Sequence, residues 1–324
     1  MKYRVVLNPA AGKGEGVEAL RKEIETRCRE AAVDFEVYLT RGVGDAADYV
    51  RRTVAEDPAS EYRFFACGGD GTLCEAVNGA VGSGRSENVS VGLIPSGTGN
   101  DFVRNFLGQE RFFDISAQLN AEAAPIDLIR CNDLYAVNMV NVGFDCEVVV
   151  KTAGLKKKKL IPSKVAYIAG LVLTLIRKPG VRGRLSRDGG APEERRYLLN
   201  TYANGAFCGG GFHSNPESRL QDGKIDGLWV NNVSRTRFLS IVGKYKKGEH
   251  LRPQYRRILS HEKVERVDMV FEKETNISVD GEVVRAKELH LSICPGLLNF
   301  LIPKGSELRF GRLGAPKETV GVSV

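Results

Sequence analysis

The sequence predicts an α/β domain with a parallel sheet, followed by a mostly β domain that we expect to be an antiparallel sandwich. In the first part of the chain, apolar runs of strand length alternate with segments of helical spacing. Beyond about Ile126, short strand patterns follow one another and helices become sparse. The length of 324 residues fits two domains. We place them at residues 1–125 and 126–324, with a return of the last residues to the first domain as an open alternative.

The strands of the first domain are short apolar or alternating runs, and residues at helical spacing follow the first two. After the first strand, Val17, Leu20, Ile24 and Cys28 recur at that spacing. After the second strand, Asp45 is placed to cap a helix that continues through residue 54. The predicted strands are residues 3–7, 35–39, 64–67 and 89–94.

A glycine-rich turn, residues 68–72, separates the third strand from a helical pattern. Its three glycines lack Cβ atoms, so the backbone can approach a bulky anion closely. Amides at the start of the following helix would face that anion with the positive end of the helix dipole. An ordinary glycine-rich connection is the alternative, but the Asp70-Gly71-Thr72 sequence favours a phosphate site.

Loops of small residues also follow the first and fourth strands, from Asn8 and from Ser96. Ligands of parallel sheets bind beyond the carboxyl ends of the strands, so we expect the three loops to share one edge. Neither the dinucleotide-binding fingerprint nor the Walker loop is present at residues 8–14 or 68–72. A nucleotide would therefore be held by a different cradle.

The second domain combines strand patterns with two helical segments. A capped helix is predicted at residues 234–245, and an apolar helix at residues 163–176 follows a basic cluster, Lys156, Lys157, Lys158 and Lys159. The apolar helix either packs on the sandwich with the lysines in water, or contacts a membrane peripherally with the lysines near anionic head groups. The strand patterns are residues 134–142, 196–207, 225–233, 264–271, 276–279 and 289–293.

Composition narrows the possible partners. The net charge of +7 and pI near 9.0 admit nucleic acid, an anionic membrane or an anionic substrate, but no zinc-finger or RNA-binding signature is present, and we expect no nucleic acid. Seven cysteines without close Cys-x-x-Cys spacing indicate neither a disulfide framework nor a zinc site, and fit a reducing cytoplasm. The N-terminus does not read as a secretory signal, and no apolar stretch reaches the about 20 residues that span a bilayer.

Four motifs, taken together, resemble the bacterial diacylglycerol kinase-like lipid kinases over nearly the whole chain. Gly-Gly-Asp-Gly-Thr alone is shared with NAD kinases and, less closely, with phosphofructokinases. Its combination with Ser-Gly-Thr-Gly-Asn-Asp and a late Asp-Gly-Glu makes the resemblance specific. The motifs are residues 68–72, 96–101, 209–211 with Pro216 and 220–223, and 279–282.

The resemblance implies an ATP site in the cleft between the two domains, with Glu282 as the general base. A carboxylate on the short turn at Asp280-Gly281 can accept the proton of the attacking hydroxyl, whereas the alternative is a surface hairpin with two solvated carboxylates. Asp70 competes for the role of base, or serves a metal or orients the nucleophile, and Asp101 is a weaker candidate for the same network. The implied ATP-binding residues are Asn8, Pro9, Thr40, Gly68, Gly69, Asp70, Gly71, Thr72 and Thr98.

The resemblance also implies a structural Mg²⁺ site. It would use the Asp222 carboxylate and the backbone carbonyls of Arg219 and Lys224, since hard oxygen ligands suit Mg²⁺. Two cationic side chains at the carbonyl positions depart from the family pattern. A plain Asp-Gly turn is the alternative interpretation.

We therefore expect an ATP-dependent, Mg²⁺-requiring lipid kinase that converts diacylglycerol to phosphatidic acid. Sphingoid bases, phosphatidylglycerol and other lipid alcohols remain alternative acceptors. An NAD kinase is disfavoured by the motifs at Ser96 and Asp280, and a non-catalytic nucleotide or membrane sensor by the presence of Asp70, Thr98 and Glu282. The resemblance makes a homodimer reasonable, and we expect a cytoplasmic protein associated peripherally with the inner face of the membrane.

Overall fold

The computed structural model describes residues 1–14, 16–144, 146–147 and 180–310. The predicted basic cluster Lys156 to Lys159 and the apolar helix after it lie outside these residues. Among the described residues, no helix combines the length and the apolar character that crossing a bilayer requires.

The first domain is built on four parallel strands in the order β4-β3-β1-β2. Helices connect the strands, as the alternating sequence pattern predicts. The elements are β1 (Lys2–Leu7), α1 (Val17–Glu30), β2 (Phe35–Leu39), α2 (Asp45–Glu56), β3 (Tyr62–Gly68), α3 (Asp70–Gly82) and β4 (Val89–Pro95).

The two faces of this sheet are covered by different helices. Phe64 of β3 packs with Val50 of α2 and Val77 of α3, whereas its neighbour Phe65 packs on the opposite face with Ile24 and Cys28 of α1. Successive side chains of a strand point to opposite faces, so an uninterrupted apolar strand is stable only between two layers. The domain is thus a three-layer α/β structure with the carboxyl ends of its strands at one edge.

The second domain is mostly antiparallel, and a helix, α5 (Arg235–Lys246), packs on one face of its sheet against residues such as Leu228. Inside, Trp229 and Tyr202 are fully buried and hydrogen bonded to each other at 3.3 Å. The elements after β4 are β5 (Phe106–Leu107), α4 (Ile115–Leu119), β6 (Glu122–Cys131), β7 (Leu134–Ala136), β8 (Met139–Gly143), β9 (Val181–Arg187), β10 (Glu193–Ala203), β11 (Ile225–Asn231), α5 (Arg235–Lys246), β12 (Leu259–Val264), β13 (Arg266–Val279), β14 (Glu282–Ile302) and β15 (Glu307–Leu308), with a 3₁₀ turn at Phe102–Asn105.

One strand joins the two domains. β14 is 21 residues long; it pairs antiparallel with β13, and at Asn299 and Phe300 it pairs parallel with Ser90 and Val91 of β4. The main sheet consequently runs through both domains in the order β12-β11-β10-β8-β13-β14-β4-β3-β1-β2. The sequence predicts only residues 289–293 as strand, because polar residues before them and Pro295-Gly296 after them interrupt the alternation.

The predicted strand 134–142 is divided into β7 and β8. The N–H groups of Val137 and Asn138 between them donate to the carboxylate of Asp280, at 2.7 and 3.0 Å. A distant side chain therefore replaces the neighbouring strand as their acceptor. The predicted helix at Ser234 is confirmed, since the Ser234 hydroxyl accepts the Arg237 N–H at 3.3 Å.

Candidate active site

The three glycine-rich loops meet at one edge of the first domain. In the pairing of β1, β3 and β4, Leu7 lies opposite Cys67, and Cys67 opposite Ile94, so the loops leave the sheet at the same level. The Ser96 N–H donates to the Gly68 carbonyl at 2.9 Å. A Cβ at Gly97 would lie 2.6 Å from the Gly69 Cα, and only glycine permits that approach.

The first loop is tied to the start of α3. The Asn8 side chain donates to the Thr72 hydroxyl at 3.0 Å and accepts the Ala10 N–H at 3.0 Å. Pro9 between them is partly buried. The geometry brings the predicted ATP-binding residues Asn8, Pro9 and Thr72 together.

Thr40 and Thr98 lie at the same edge of the sheet but differ in solvent exposure. Thr40 follows β2, is buried, and donates its N–H to the Leu7 carbonyl at 2.9 Å. Thr98 is exposed at the tip of the loop after β4. Thr40 is thus fixed by the sheet, whereas the Thr98 side chain faces solvent.

Asp70, the first residue of α3, holds the third loop. Its carboxylate accepts the N–H groups of Asp101 and Phe102, both at 3.1 Å. Burial, and after it the charge of Asp101, raise the pKa of the Asp70 carboxyl, and the two N–H groups oppose that change. Asp70 therefore caps the 3₁₀ turn that begins at Phe102 and fixes residues 96–101 over α3.

Asp101 connects the first domain to the second. Its carboxylate accepts the Gly210 N–H at 2.8 Å and pairs with the Arg104 guanidinium at 3.2 Å. Gly210 lies in a run of three glycines, residues 209–211, that all have positive φ. This backbone conformation suits glycine, and it presents the Gly210 N–H to the first domain. The sequence contains both motifs but carries no signal for their contact.

The turn between β13 and β14 is held by hydrogen bonds to the buried side chain of Asp280. Asp280 and Gly281 have φ values of 47° and 93°, as a two-residue hairpin turn of type I′ requires. The Asp280 carboxylate is buried and accepts three N–H groups, from Val137, Asn138 and Met139, at 2.7 to 3.0 Å. Burial raises the pKa of Asp280 to about 7, against the effect of these donors. Asp280 is therefore not the solvated surface carboxylate of the alternative interpretation.

Glu282 follows this turn and lies against the start of α3. A Cβ built on Gly71 would be 3.1 Å from Glu282 Oε1, so the carboxylate is next to the first turn of the helix. Among the described residues, no hydrogen bond to the Glu282 carboxylate is found. Burial, followed by the charge of Glu75, raises the pKa of Glu282. A half-buried carboxylate with a raised pKa is chemically suited to accept a proton.

The site carries more negative than positive charge. Among the described residues, its carboxylates have one ion-pair partner, the Arg104 guanidinium on Asp101. In the part of the chain that the structure describes, no group of three or more His, Cys, Asp or Glu side chains is placed to hold a metal ion by itself. In nucleotide sites Mg²⁺ is bound by one or two carboxylates together with the phosphates, and a divalent ion that arrives with a nucleotide would balance the negative charge here. One or two of these carboxylates therefore fit a magnesium nucleotide. The carboxylates are those of Asp70, Glu75, Asp101, Asp280 and Glu282.

The residues of the predicted structural metal site do not fit a metal ion. Asp222 Oδ2 accepts a hydrogen bond from the Lys263 ammonium at 2.6 Å, and Asp222 Oδ1 accepts the Lys224 N–H at 3.1 Å. The ammonium also donates to the Glu217 carbonyl at 2.8 Å. A cation of the chain itself thus lies on the one carboxylate of the predicted ligand set, and no contact of this ammonium with the carbonyls of Arg219 and Lys224 is found among the described residues. The contact with Lys263 was not predictable from local sequence, because Lys263 lies 41 residues away from Asp222.

Comparison with known families agrees with this architecture. Residues 2–131 match the model of the diacylglycerol kinase catalytic domain. Residues 138–302 match the model described as the YegS C-terminal NAD kinase beta sandwich-like domain. The predicted fold class, an α/β domain followed by a β-sandwich domain, is confirmed.

Curated relatives match over most of their length. A Pseudomonas aeruginosa protein named "Probable lipid kinase YegS-like" is 30% identical over 301 residues, which are 92% of this chain and 94% of the relative. A Staphylococcus carnosus protein named diacylglycerol kinase is 26% identical over 283 residues, 87% of this chain and 88% of the relative.

The fold is also similar to that of solved structures. A crystal structure of a diacylglycerol kinase from Bacillus anthracis superposes with a TM-score of 0.69 at 20% identity, covering 94% of this chain and 97% of that one. This likeness supports the fold, and the family models and curated relatives support the activity class. The chain belongs to the family of diacylglycerol kinase-like lipid kinases.

Proposed function

We propose that the protein transfers the γ-phosphate of ATP to the hydroxyl of a membrane lipid, with diacylglycerol as the first candidate acceptor and phosphatidic acid as its product. The observation that carries this proposal is the position of the Glu282 carboxylate beside Gly71, at the amide end of α3. That position supports the proposal, because it brings a carboxylate next to the loops proposed to hold the phosphates. Membership of a lipid kinase family supports a lipid as the acceptor.

In this proposal ATP binds at the edge where the three loops meet. The first-turn amides of α3 have no acceptors within the helix and are available to phosphate oxygens. The approach of Gly69 to Gly97 leaves no side chain between the two loops. Asn8, Pro9, Thr40, the loop 68–72 and Thr98 surround this edge.

Glu282 acts as the general base. As the lipid oxygen forms a bond to the γ-phosphorus, the bond from that phosphorus to the bridging oxygen of ADP breaks, and the hydroxyl proton passes to the Glu282 carboxylate. The raised pKa of Glu282 favours acceptance of this proton. Asp70 is less suited to the same role, because both of its oxygens already accept backbone N–H groups.

Mg²⁺ bound with ATP would neutralise charge on the phosphates. Asp70 would hold it, since each carboxylate oxygen keeps a second lone pair beyond the N–H group it accepts. The neighbouring Asp101 adds negative charge that favours a cation there. Asp70 would also keep residues 96–101 in place over α3.

The lipid acceptor implies work at a membrane surface. We propose peripheral association with the cytoplasmic face, supported by the net charge of +7 and the basic cluster Lys156 to Lys159. In this arrangement the protein would phosphorylate lipids whose hydroxyl is exposed at the cytoplasmic face.

The test is transfer of radiolabelled γ-phosphate from ATP with Mg²⁺ to separate lipids in mixed micelles. The acceptors are diacylglycerol, a sphingoid base and phosphatidylglycerol, and NAD is the soluble control. We expect the radiolabelled phosphate to appear on a lipid, and diacylglycerol to be labelled faster than the other acceptors. Label on NAD alone, or ATP binding without transfer to any lipid alcohol, would contradict it.

A further inference from the structure

The Lys263 ammonium lies in a cage of oxygen atoms in the second domain. Lys263 Nζ is 2.6 Å from Asp222 Oδ2, 2.8 Å from the Glu217 carbonyl and 3.8 Å from Asp226 Oδ2. Lys263 lies on β12 directly opposite Asp226 on β11. The side chains of Asp222 and Asp226 are only 9% and 1% exposed, so both carboxylates need a countercharge within the protein.

The two carboxylate oxygens of Asp226 have different surroundings, and one of them faces the Lys263 ammonium. Its Oδ1 accepts from the Asn215 amide and contacts His261 Nε2, both at 2.9 Å. Its Oδ2 has no hydrogen-bond partner among the described residues, and the cation facing it is Lys263. One ammonium thus lies between two buried carboxylate oxygens.

We infer that the Lys263 ammonium is the resident cation of this site and takes the place of the divalent metal ion that the resemblance implies at Asp222. Mg²⁺ requires near-octahedral oxygen ligation at about 2.0–2.1 Å. An ammonium already hydrogen bonded to the Asp222 carboxylate occupies that volume and repels a second cation. The fold of this region therefore does not depend on a divalent ion.

The cationic residues beside Asp222 in sequence have other partners. The Lys224 ammonium pairs with Glu265 at 2.6 Å, and the Arg219 guanidinium lies 4.2 Å from the centre of the Phe310 ring. Neither of these two side chains contacts the Asp222 carboxylate. The ammonium that does so is that of Lys263 on β12.

The site secures the loop that reaches the first domain. Asn215, in the loop between β10 and β11, donates to both the backbone carbonyl and the carboxylate of Asp226 at 2.9 Å. The same loop carries Gly210, whose N–H contacts Asp101. The carboxylate of Asp226, which faces Lys263, therefore also holds the loop that contacts the first domain.

The test compares thermal unfolding of the nucleotide-free full chain in EDTA and in millimolar Mg²⁺ at matched ionic strength. For the wild type we expect the same Tm in both. Lys263→Ala leaves the Asp222 carboxylate without its cation and opens space for one, so its Tm should fall in EDTA and rise by about 4 °C or more in Mg²⁺. Adding Asp222→Asn to this variant should abolish the response to Mg²⁺.

Lys224→Ala is the matched control. It removes a neighbouring ammonium whose partner is Glu265 and should create no response to Mg²⁺. The inference is overturned if Mg²⁺ raises the Tm of the wild type and Asp222→Asn removes that rise, because the carboxylate would then hold a metal. It is equally overturned if Lys263→Ala unfolds like the wild type in both conditions. If Lys263→Ala does not fold, the Tm of the wild type in EDTA and in Mg²⁺ still tests the inference. This measurement does not depend on kinase activity.

Discussion

The Gly210 N–H donates to the Asp101 carboxylate at 2.8 Å and links the second domain to the first. Asp101 in turn donates its own N–H to Asp70 at 3.1 Å. These two hydrogen bonds connect a glycine loop of the β domain to the first residue of α3. The relative position of the two domains at the active site therefore depends on Asp101.

Asp101→Ala should lower both stability and activity. The variant loses the Gly210 hydrogen bond and the Arg104 pair, at a cost of about 1–3 kcal/mol in the free energy of unfolding. Denaturant unfolding measures that cost. Asp48→Ala is the control, because Asp48 forms an exposed pair with Arg51 at 3.0 Å and its loss should cost less than about 1 kcal/mol. Equal losses in the two variants would refute the special role of Asp101.

Gly71→Ala should separate activity from stability. The new methyl group would lie 3.1 Å from Glu282 Oε1 and displace the carboxylate, so we expect turnover to fall by about tenfold. Alanine is also the better helix former, so the Tm should not fall. Gly243→Ala is the control: a Cβ added to this helical glycine in α5 would have no neighbour within 4 Å, and the substitution should leave turnover unchanged. A fully active Gly71→Ala enzyme would show that Glu282 does not act from the position seen here.

The pH dependence of kcat/KM should report Glu282. A base is active only when deprotonated, so activity should fall as the pH drops through the raised pKa of Glu282. Glu75→Gln removes the charge that, after burial, raises this pKa, while its amide oxygen can still accept the Ala46 N–H. The acid limb of the profile should therefore move to lower pH. An acid limb that stays in place would mean that another group controls it.

The site shows what a local pattern can and cannot predict. β3, β4 and their glycine loops were predictable because apolar runs and the residues that end them are adjacent in sequence. The long β14 was not, since Glu282, Arg285 and Lys287 at its start break the apolar alternation of a buried strand. Its pairing with β4 depends on residues more than 200 positions apart.

The carboxylates of the site were likewise predictable as motif residues, whereas their hydrogen-bond partners were not. The sequence identifies Asp70, Asp101, Asp280 and Glu282 as motif residues but does not show which of them already have partners. Three backbone N–H groups occupy Asp280, and two occupy Asp70. These partners come from distant segments, so the sequence could suggest Glu282 as the base through the resemblance but could not show that the partners of Asp70 and Asp280 are already in place.

Removal of the charges of Lys156 to Lys159 should weaken binding to anionic vesicles. These residues lie outside the described structure, and the expectation rests on their charge. A lysine near an anionic surface contributes about 1 kcal/mol, so four Lys→Gln changes should lower the partition coefficient by at least tenfold in cosedimentation. Lys246→Gln with Lys247→Gln, at the exposed end of α5, controls for net charge. Equal effects per charge in both variants would assign the binding to net charge alone.

The most direct test of the proposed chemistry is the rate of γ-phosphate transfer to the lipid acceptor by Glu282→Gln, measured together with its affinity for ATP. Glu288→Gln, which changes an exposed glutamate on the same strand, is the matched control. The account predicts that Glu282→Gln loses turnover by about 10²-fold or more with an unchanged ATP Kd, while the control keeps both. Turnover by Glu282→Gln at the wild-type rate would contradict the assignment of Glu282 as the base.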